Sequence, residues 1–341
     1  MTAHEQLIAR RGRRSGVTTM VAIHSSVLGP AVGGCRFKAY PSVTHAVDDV
    51  LRLSAAMTAK CAVAGLDFGG GKSVIALEPG RVLSPAERRD VLLDHADLIA
   101  SFDGGYLAGP DVGTGPADML VLREVTPHAY CTPEAAGGTG SSSGPTAIGV
   151  LAALRAASGT RSMAGRRVVI SGYGAVGAHL AASLQAMGAS VVVSDVDPAK
   201  RAEARELGFE WAEPEKALTL TADVVIPAAV GGVLSPESVA RLDTPLVVGP
   251  ANNQLTEDAV ADALAARGVL WVPDYVASAG GILYTLAREA EGLDHDAALA
   301  RVESIEGTVE TILAAARSHA TTPLREAAAL AERRLTAAAT R

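Results

Sequence analysis

The residues that decide the fold are RRVVISGYGAVG, at positions 166–177. A β-branched run, Val168, Val169 and Ile170, leads into three glycines spaced as GxGxxG, and residues 175–187 continue with helical apolar periodicity. Strand, glycine turn and helix in this order form the dinucleotide-binding fingerprint. Gly172 permits the tight turn, Gly174 lets a pyrophosphate approach the backbone, and Gly177 lets the helix pack on its strand. Ala175 and Val176 open the helix, whose free N–H groups and positive dipole end suit phosphate. A second strand, at 190–194, ends in Asp195, 23 residues after Gly172. A carboxylate there accepts hydrogen bonds from both ribose hydroxyls and repels a 2′-phosphate, so the pattern predicts NAD rather than NADP.

Working outward, further strands are expected at 224–226, 246–248 and 269–272. Their alternation with helices predicts a parallel sheet with helices on both faces. Upstream, GGTGSSSG at 137–144 is a small-residue stretch that suits a hinge, and it sets the expected domain boundary near residue 136. Before it, 17–27 reads as a strand. Residues 42–60 read as an amphipathic helix with Ser42 as N-cap, 72–77 as a strand, and 85–102 as a helix. Helices at 308–318 and 323–339 close the chain. A length of 341 residues suits two domains, each with its own core.

With 48% hydrophobic and 20% charged residues the composition is that of a globular protein. The formal charge of −7 argues against a nucleic-acid partner. The one basic cluster, Arg10, Arg11, Arg13 and Arg14, is interrupted by Gly12 and reads as a solvated turn. Cys35, Cys61 and Cys131 are scattered, which gives neither a disulfide framework nor a metal site and suits a reducing cytoplasm. The first fourteen residues lack a secretory apolar core. The longest apolar run, 224–234, is too short to span a membrane and contains Pro227, Gly231 and Gly232. A soluble, cytoplasmic protein without membrane contact is expected.

Two lysines stand out. Lys60 ends an apolar helix, and Lys72 follows Gly69-Gly70-Gly71, where a backbone or ligand approaches closely. Burial and a neighbouring cation both favour a neutral lysine, which suits a general base. The GGGKS sequence resembles the end of a phosphate-binding P-loop. That motif needs glycine at 66, where Leu66 stands, and a helix next, where VIALEP reads as a strand. Asp111 follows Pro110, a position that taken alone suits an ordinary turn-forming aspartate.

The sequence resembles the Glu/Leu/Phe/Val dehydrogenases. The blocks that carry this are GPAVGGCR (29–36), MTAKCAVAGLDFGGGKSVI (57–75), GPDVGT (109–114), the GxGxxG region, PANNQL (250–255) and PDYVASAGG (273–281). Their order and spacing cover nearly the whole chain and look closest to the phenylalanine, leucine and valine branches. The resemblance implies an α/β protein of two domains, with the catalytic cleft between them. Residues 1–135 would form a substrate-binding and oligomerisation domain, 136–310 a Rossmann NAD-binding domain, and 311–341 C-terminal helices packing back on the first. It implies a homo-oligomer.

The same resemblance implies roles. Lys60 would bind the substrate α-carboxylate with Asn252. Lys72 would activate the water that attacks the imine, and Asp111 would relay protons to and from the amino group. Gly33, Gly34, Val32 and Pro110 would lie in the substrate floor. Thr146, Ala228, Asn252 and Ser278 would stand by the cofactor, and no metal is implied. The reaction would be NAD-dependent oxidative deamination of an L-amino acid to the 2-oxo acid and ammonia.

The glutamate branch carries a lysine just before its GG-x-R turn. Val32 stands there, so a substrate carboxylate would be buried without a partner, and an uncharged side chain is expected, phenylalanine first and then leucine or valine. Two departures qualify this. Thr285 takes a place that is apolar in the leucine-type branches, and Ser278 replaces the asparagine of the family pattern PDxxxNAGG. They motivate a second reading, a relative acting on a non-standard amino acid or imine of secondary metabolism. A third, an inactive NAD-binding regulator, is opposed by the joint presence of Lys60, Lys72 and Asp111.

Overall fold

The computed structural model describes residues 4–340. The chain divides into two compact units, one of Met1–Ser141, Arg288–Gly292 and Ala331–Arg341, the other of Ser142–Ala287 and Leu293–Leu330.

Among the described residues the first unit holds five strands: β1 (Gln6–Arg11), β2 (Thr18–Ser25), β3 (Ala31–Ala39), β4 (Gly69–Leu77) and β5 (Tyr106–Pro110). They lie in the order β1-β2-β4-β3-β5. β2 is antiparallel to β1 and β4, whereas β3 is parallel to both β4 and β5. The helix Val43–Val63 forms because Ser42 caps it, its side chain accepting from the His45 N–H, and because its apolar positions recur at helical spacing. A capping box between Ser84 and Glu87, with Pro85 behind the cap, starts the helix Pro85–Ala100.

Alternation along β4 divides the sheet. Ile75 joins a core with Cys35, Phe37, Val91, Leu92, Ala96, Ile99 and Met119, whereas Val74 packs with Met20, Ala22, Tyr40, Ala46 and Val50. Helices therefore cover both faces. The three glycines expected before β4 belong to it. Arg10 and Arg11, expected in a turn, lie on β1, and the turn after them is held by Asp94. Its carboxylate accepts from the Arg14 N–H at 3.1 Å, the Ser15 N–H at 2.9 Å and the Ser15 hydroxyl at 2.7 Å.

The second unit holds six parallel strands: β6 (Arg167–Ser171), β7 (Ser190–Ser194), β8 (Glu210–Trp211), β9 (Val224–Pro227), β10 (Leu246–Val247) and β11 (Leu270–Trp271). Their order, β11-β10-β9-β6-β7-β8, is that of a doubly wound dinucleotide-binding fold. The strand order reverses beside β6, which pairs with β7 on one side and β9 on the other, so the carboxyl end of β6 is the switch point where ligands bind in such sheets. No helix of the described residues is long and apolar enough to cross a membrane.

Candidate active site

In the first unit three neighbouring strands converge. Arg36 lies on β3, Lys72 on β4, and Asp111 directly follows β5. Because Ser73 and Ile75 face the core beneath helix Pro85–Ala100, Lys72 points to the other face, towards helix Val43–Val63. By the same parity Val32, Gly34 and Arg36 oppose Ala31, Cys35 and Phe37. Lys72 Nζ stands 2.8 Å from Asp111 Oδ2, and Arg36 Nε donates to that same oxygen at 3.0 Å. Lys72 is 7% exposed, an unusual burial for a lysine, and needs the partner it has. Burial alone would raise the Asp111 carboxyl. The positive charges of Lys72 and Arg36 outweigh it and hold that group well below the usual carboxylate range.

The glycines around the pair are there for space. A Cβ at Gly34 would stand 2.7 Å from Asp111 Cβ and 2.9 Å from Lys72 Nζ. At Gly33 it would run into the Gly71 carbonyl oxygen of the neighbouring strand, and at Gly70 into Thr58. Pro110 closes β5 beside Cys35, and Val32, 6% exposed, pairs in register with Gly70 and Leu107. Lys60 occupies the last turn of the helix Val43–Val63. Thus Lys72, Asp111, Gly34 and Pro110 cluster. Beneath them is a buried polar chain: His95 meets Thr19 Oγ1 at 2.5 Å and Ser73 Oγ at 2.9 Å. Burial lowers the His95 imidazole to about 3, so it is neutral.

Arg36 is the charged residue that sequence reasoning passes over. Its Nη1 donates to Asp49 Oδ2 at 3.0 Å, and the Tyr40 hydroxyl donates to the same oxygen at 2.8 Å. The signal was the residue itself within GPAVGGCR, but an arginine in a strand ordinarily reads as surface. Cys35 and Cys61 are fully buried, and burial pushes both thiols up to about 12, which leaves them inert. No cluster of three potential metal ligands occurs among the described residues.

The second unit carries the dinucleotide fingerprint. Gly172 has φ +119°, and a Cβ there would stand 2.7 Å from the Ala228 carbonyl carbon and 2.5 Å from the Ala229 nitrogen. Ala228 itself donates its N–H to the Ser171 carbonyl at 2.8 Å. Gly174 caps the helix Ala175–Ala186, with open space where its side chain would be. A Cβ at Gly177 would meet the Gly172 carbonyl oxygen, which is the close helix–strand packing this position requires. These residues fit a dinucleotide pyrophosphate. Asp195 follows β7 and accepts from the Tyr173 N–H at 2.9 Å and the Asp197 N–H at 3.0 Å, and Lys200 Nζ stands 3.0 Å from Oδ2. Against the upward push of burial, these contacts lower its carboxyl.

Thr146 lies in the first turn of the helix Ser143–Ser158, where Gly281 leaves room: a Cβ there would stand 2.7 Å from Thr146 Oγ1. The Asn252 loop is braced by Gln254, whose side chain donates to the Gly249 carbonyl at 2.8 Å and accepts from Trp271 Nε1 at 3.0 Å. Ser278, 8% exposed, ends the short helix Asp274–Ala277, and Thr285, 6% exposed, ends the helix Gly280–Thr285.

Comparison with known proteins agrees with both halves. The dimerisation domain of the Glu/Leu/Phe/Val dehydrogenases matches residues 2–128, and the Glutamate/Leucine/Phenylalanine/Valine dehydrogenase domain matches residues 195–341. Residues 152–230 match the NAD-binding domain of the D-isomer specific 2-hydroxyacid dehydrogenases. A phenylalanine dehydrogenase of Caldalkalibacillus thermarum is 36% identical over 98% of this chain and 92% of its own. A valine dehydrogenase of Streptomyces virginiae is 40% identical over 97% of this chain and 94% of its own. The crystal structure of L-tryptophan dehydrogenase from Nostoc punctiforme superposes with a TM-score of 0.82 at 30% identity, covering 100% of this chain and 98% of that one. With its fingerprint for a nicotinamide dinucleotide and these full-length relatives, the chain belongs to the Glu/Leu/Phe/Val dehydrogenase family, oxidoreductases acting on the CH–NH2 group of amino acids.

Proposed function

We propose that this enzyme uses NAD to deaminate an uncharged, hydrophobic L-amino acid to its 2-oxo acid and ammonia, with phenylalanine the first candidate, then leucine and valine. The observation that carries the reading is the buried Lys72–Asp111 pair at 2.8 Å on a glycine-walled sheet face. Lys60 binds the substrate α-carboxylate, and Asn252 is a further binding residue of the second unit. Gly172, Gly174, Gly177 and Asp195 would hold the cofactor, which would supply a hydride acceptor for the substrate Cα. Lys72, held by Asp111, polarises and deprotonates the water that adds to the imine carbon. Asp111 takes the proton from, and returns it to, the departing nitrogen. Val32, paired in register with Gly70 and Leu107, offers the substrate side chain no counter-charge.

Asp195 supports NAD over NADP. Its carboxylate stands at the end of β7, fixed by two backbone N–H groups, where a 2′-phosphate would meet a like charge. The dimerisation-domain match supports a homo-oligomer.

The experiment is an NADH absorbance assay with phenylalanine, leucine, valine, tryptophan and glutamate, repeated with NADP. Activity on an apolar substrate with NAD bears out the reading. Activity on none of the five favours a non-standard amino acid, to which the buried hydroxyls of Ser278 and Thr285 point. Equal use of NADP removes the role given to Asp195.

A further inference from the structure

Asp111 has two cationic neighbours, and only one has a place in the reaction proposed above. Arg36 reaches Asp111 Oδ2 through Nε at 3.0 Å and Asp49 Oδ2 through Nη1 at 3.0 Å, so both sides of its planar fork are engaged. Its side chain is 15% exposed, that of Asp49 12%. Asp49 is held in turn. Tyr40 donates to its Oδ2 at 2.8 Å, Arg52 Nη2 reaches its Oδ1 at 2.8 Å, and Lys38 Nζ lies 3.7 Å from Oδ2. The result is an alternating row of charge, Lys72, Asp111, Arg36, Asp49, Arg52, running from β4 across β3 to the helix Val43–Val63.

We propose that Arg36 is a positioning residue for the proton shuttle: it fixes the Asp111 carboxylate beside Lys72, and Asp49 fixes Arg36. The inference rests on the reading of Asp111 as the group that exchanges protons with the substrate nitrogen. Both cations make their short contacts to Oδ2, so the proton is exchanged at Oδ1. Other polar groups near Asp111 have partners or are held neutral, as burial holds the Tyr40 and Tyr106 hydroxyls. Cys35 on β3 is held neutral by burial, with its thiol pushed up to about 12. Thr114 is tied to the Asp111 N–H at 3.0 Å and the Cys35 carbonyl at 2.7 Å. Asp118, on the helix Pro116–Arg123, is paired with Arg88 at 2.8 Å.

The row gives opposite signs for its two ends. Arg36→Gln removes a positive charge beside the Lys72–Asp111 pair, so the pair takes up a proton more readily and the acid limb of the kcat profile rises by about one pH unit. Asp49→Asn removes the negative charge on the far side of Arg36, leaves the full guanidinium charge to Asp111, and lowers the limb. General loosening would move both variants alike. The test measures kcat and KM against pH, with melting temperatures, for the wild type, Arg36→Gln, Asp49→Asn and Asp111→Asn. The expected result is a limb raised in Arg36→Gln and lowered in Asp49→Asn, with kcat falling more than KM changes. An unmoved limb in a folded Arg36→Gln, or movement of both in one direction, overturns the proposal. Should Arg36→Gln fail to fold, Asp49→Asn alone decides: a lowered limb supports the role and any other result overturns it. Turnover retained in Asp111→Asn removes the shuttle reading itself, whereas an inactive Asp111→Asn with an unmoved Arg36→Gln limb removes only the role of Arg36.

Discussion

Lys72 Nζ and Asp111 Oδ2 meet at 2.8 Å over a floor that a single methyl group would block, because a Cβ at Gly34 would stand 2.9 Å from the one side chain and 2.7 Å from the Cβ of the other. The Lys72 tip can swing aside, but Asp111 Cβ is tied to the backbone. Gly34→Ala therefore displaces the carboxylate. Turnover should fall by about tenfold or more, since small misplacements of reacting groups are expensive, with an overpacking cost of about 1–3 kcal/mol. Gly33→Ala differs in kind. Its Cβ would strike the Gly71 carbonyl oxygen, backbone against backbone between paired strands, so the sheet itself is disturbed. Steady-state kinetics and thermal melts on both variants check the contrast. Normal turnover in Gly34→Ala would falsify the tight-floor argument.

The two lysines should separate kinetically. In the proposed reaction Lys72→Ala removes the base that acts on water, and kcat should drop by about a thousandfold while cofactor binding persists. Lys60→Ala should remove the proposed charge-assisted contact to the substrate carboxylate, worth about 1.5–3 kcal/mol, and the loss should appear mainly in KM. Cofactor titration by NADH fluorescence and initial rates on both variants give the comparison. A Lys72→Ala enzyme with a raised KM and an intact kcat would exchange the two assignments.

His95 supplies a pH dependence of stability. It is buried and neutral, with its imidazole lowered from 6.5 to about 3 in the folded protein. Below pH 6.5 the unfolded chain binds a proton that the folded one refuses, so stability falls as pH falls through this window and rises again with pH. At pH 5 the loss from this one group is about 2 kcal/mol. His95→Gln keeps hydrogen-bonding atoms near Thr19 and Ser73 without the titration. Its melting temperature should depend less steeply on pH between 4 and 6.5 than that of the wild type. Parallel slopes would show that His95 does not carry the effect.

How much of this was legible beforehand follows from where each signal resides. The long capped helices and the strand–glycine–helix of the second unit are local patterns, and they stand where Ser42, the β-branched run before Gly172 and Asp195 place them. β1, β3 and β5 carry no local signal. QLIARR is an exposed edge, AVGGCRFKA has two glycines where side chains would alternate, and YLAGP is short and ends in proline. Only neighbouring strands define them. The site shows the same limit. Lys72 and its glycines attract notice in the sequence, but Asp111 after a proline reads as a turn, and Arg36 reads as an ordinary surface charge. Their meeting depends on β3 lying between β4 and β5, a long-range pairing that no window of sequence contains.

Specificity is the sharpest remaining expectation. Val32 sits on β3 with the parity of Gly34 and Arg36, and in the proposed reading it presents methyl groups where the glutamate branch of the family would present an ammonium. A substrate carboxylate placed against it loses hydration and gains no partner. An apolar side chain buried there gains about 25 cal/mol for each Å², or about 1.5–3 kcal/mol for a whole leucine or valine side chain. Both effects act in one direction, and their sum predicts that phenylalanine, leucine or valine exceeds glutamate in kcat/KM by at least about a hundredfold. Val32→Lys should narrow that ratio from both sides, by supplying the counter-charge and by removing apolar surface. Because Val32 is only 6% exposed, the lysine also carries a burial cost, so the variant is compared with Val32→Met, which has similar length and no charge. The charge argument requires Val32→Lys to improve glutamate relative to leucine while Val32→Met does not. An equal gain in the two variants, or glutamate already preferred by the wild type, would leave Val32 without the role assigned to it.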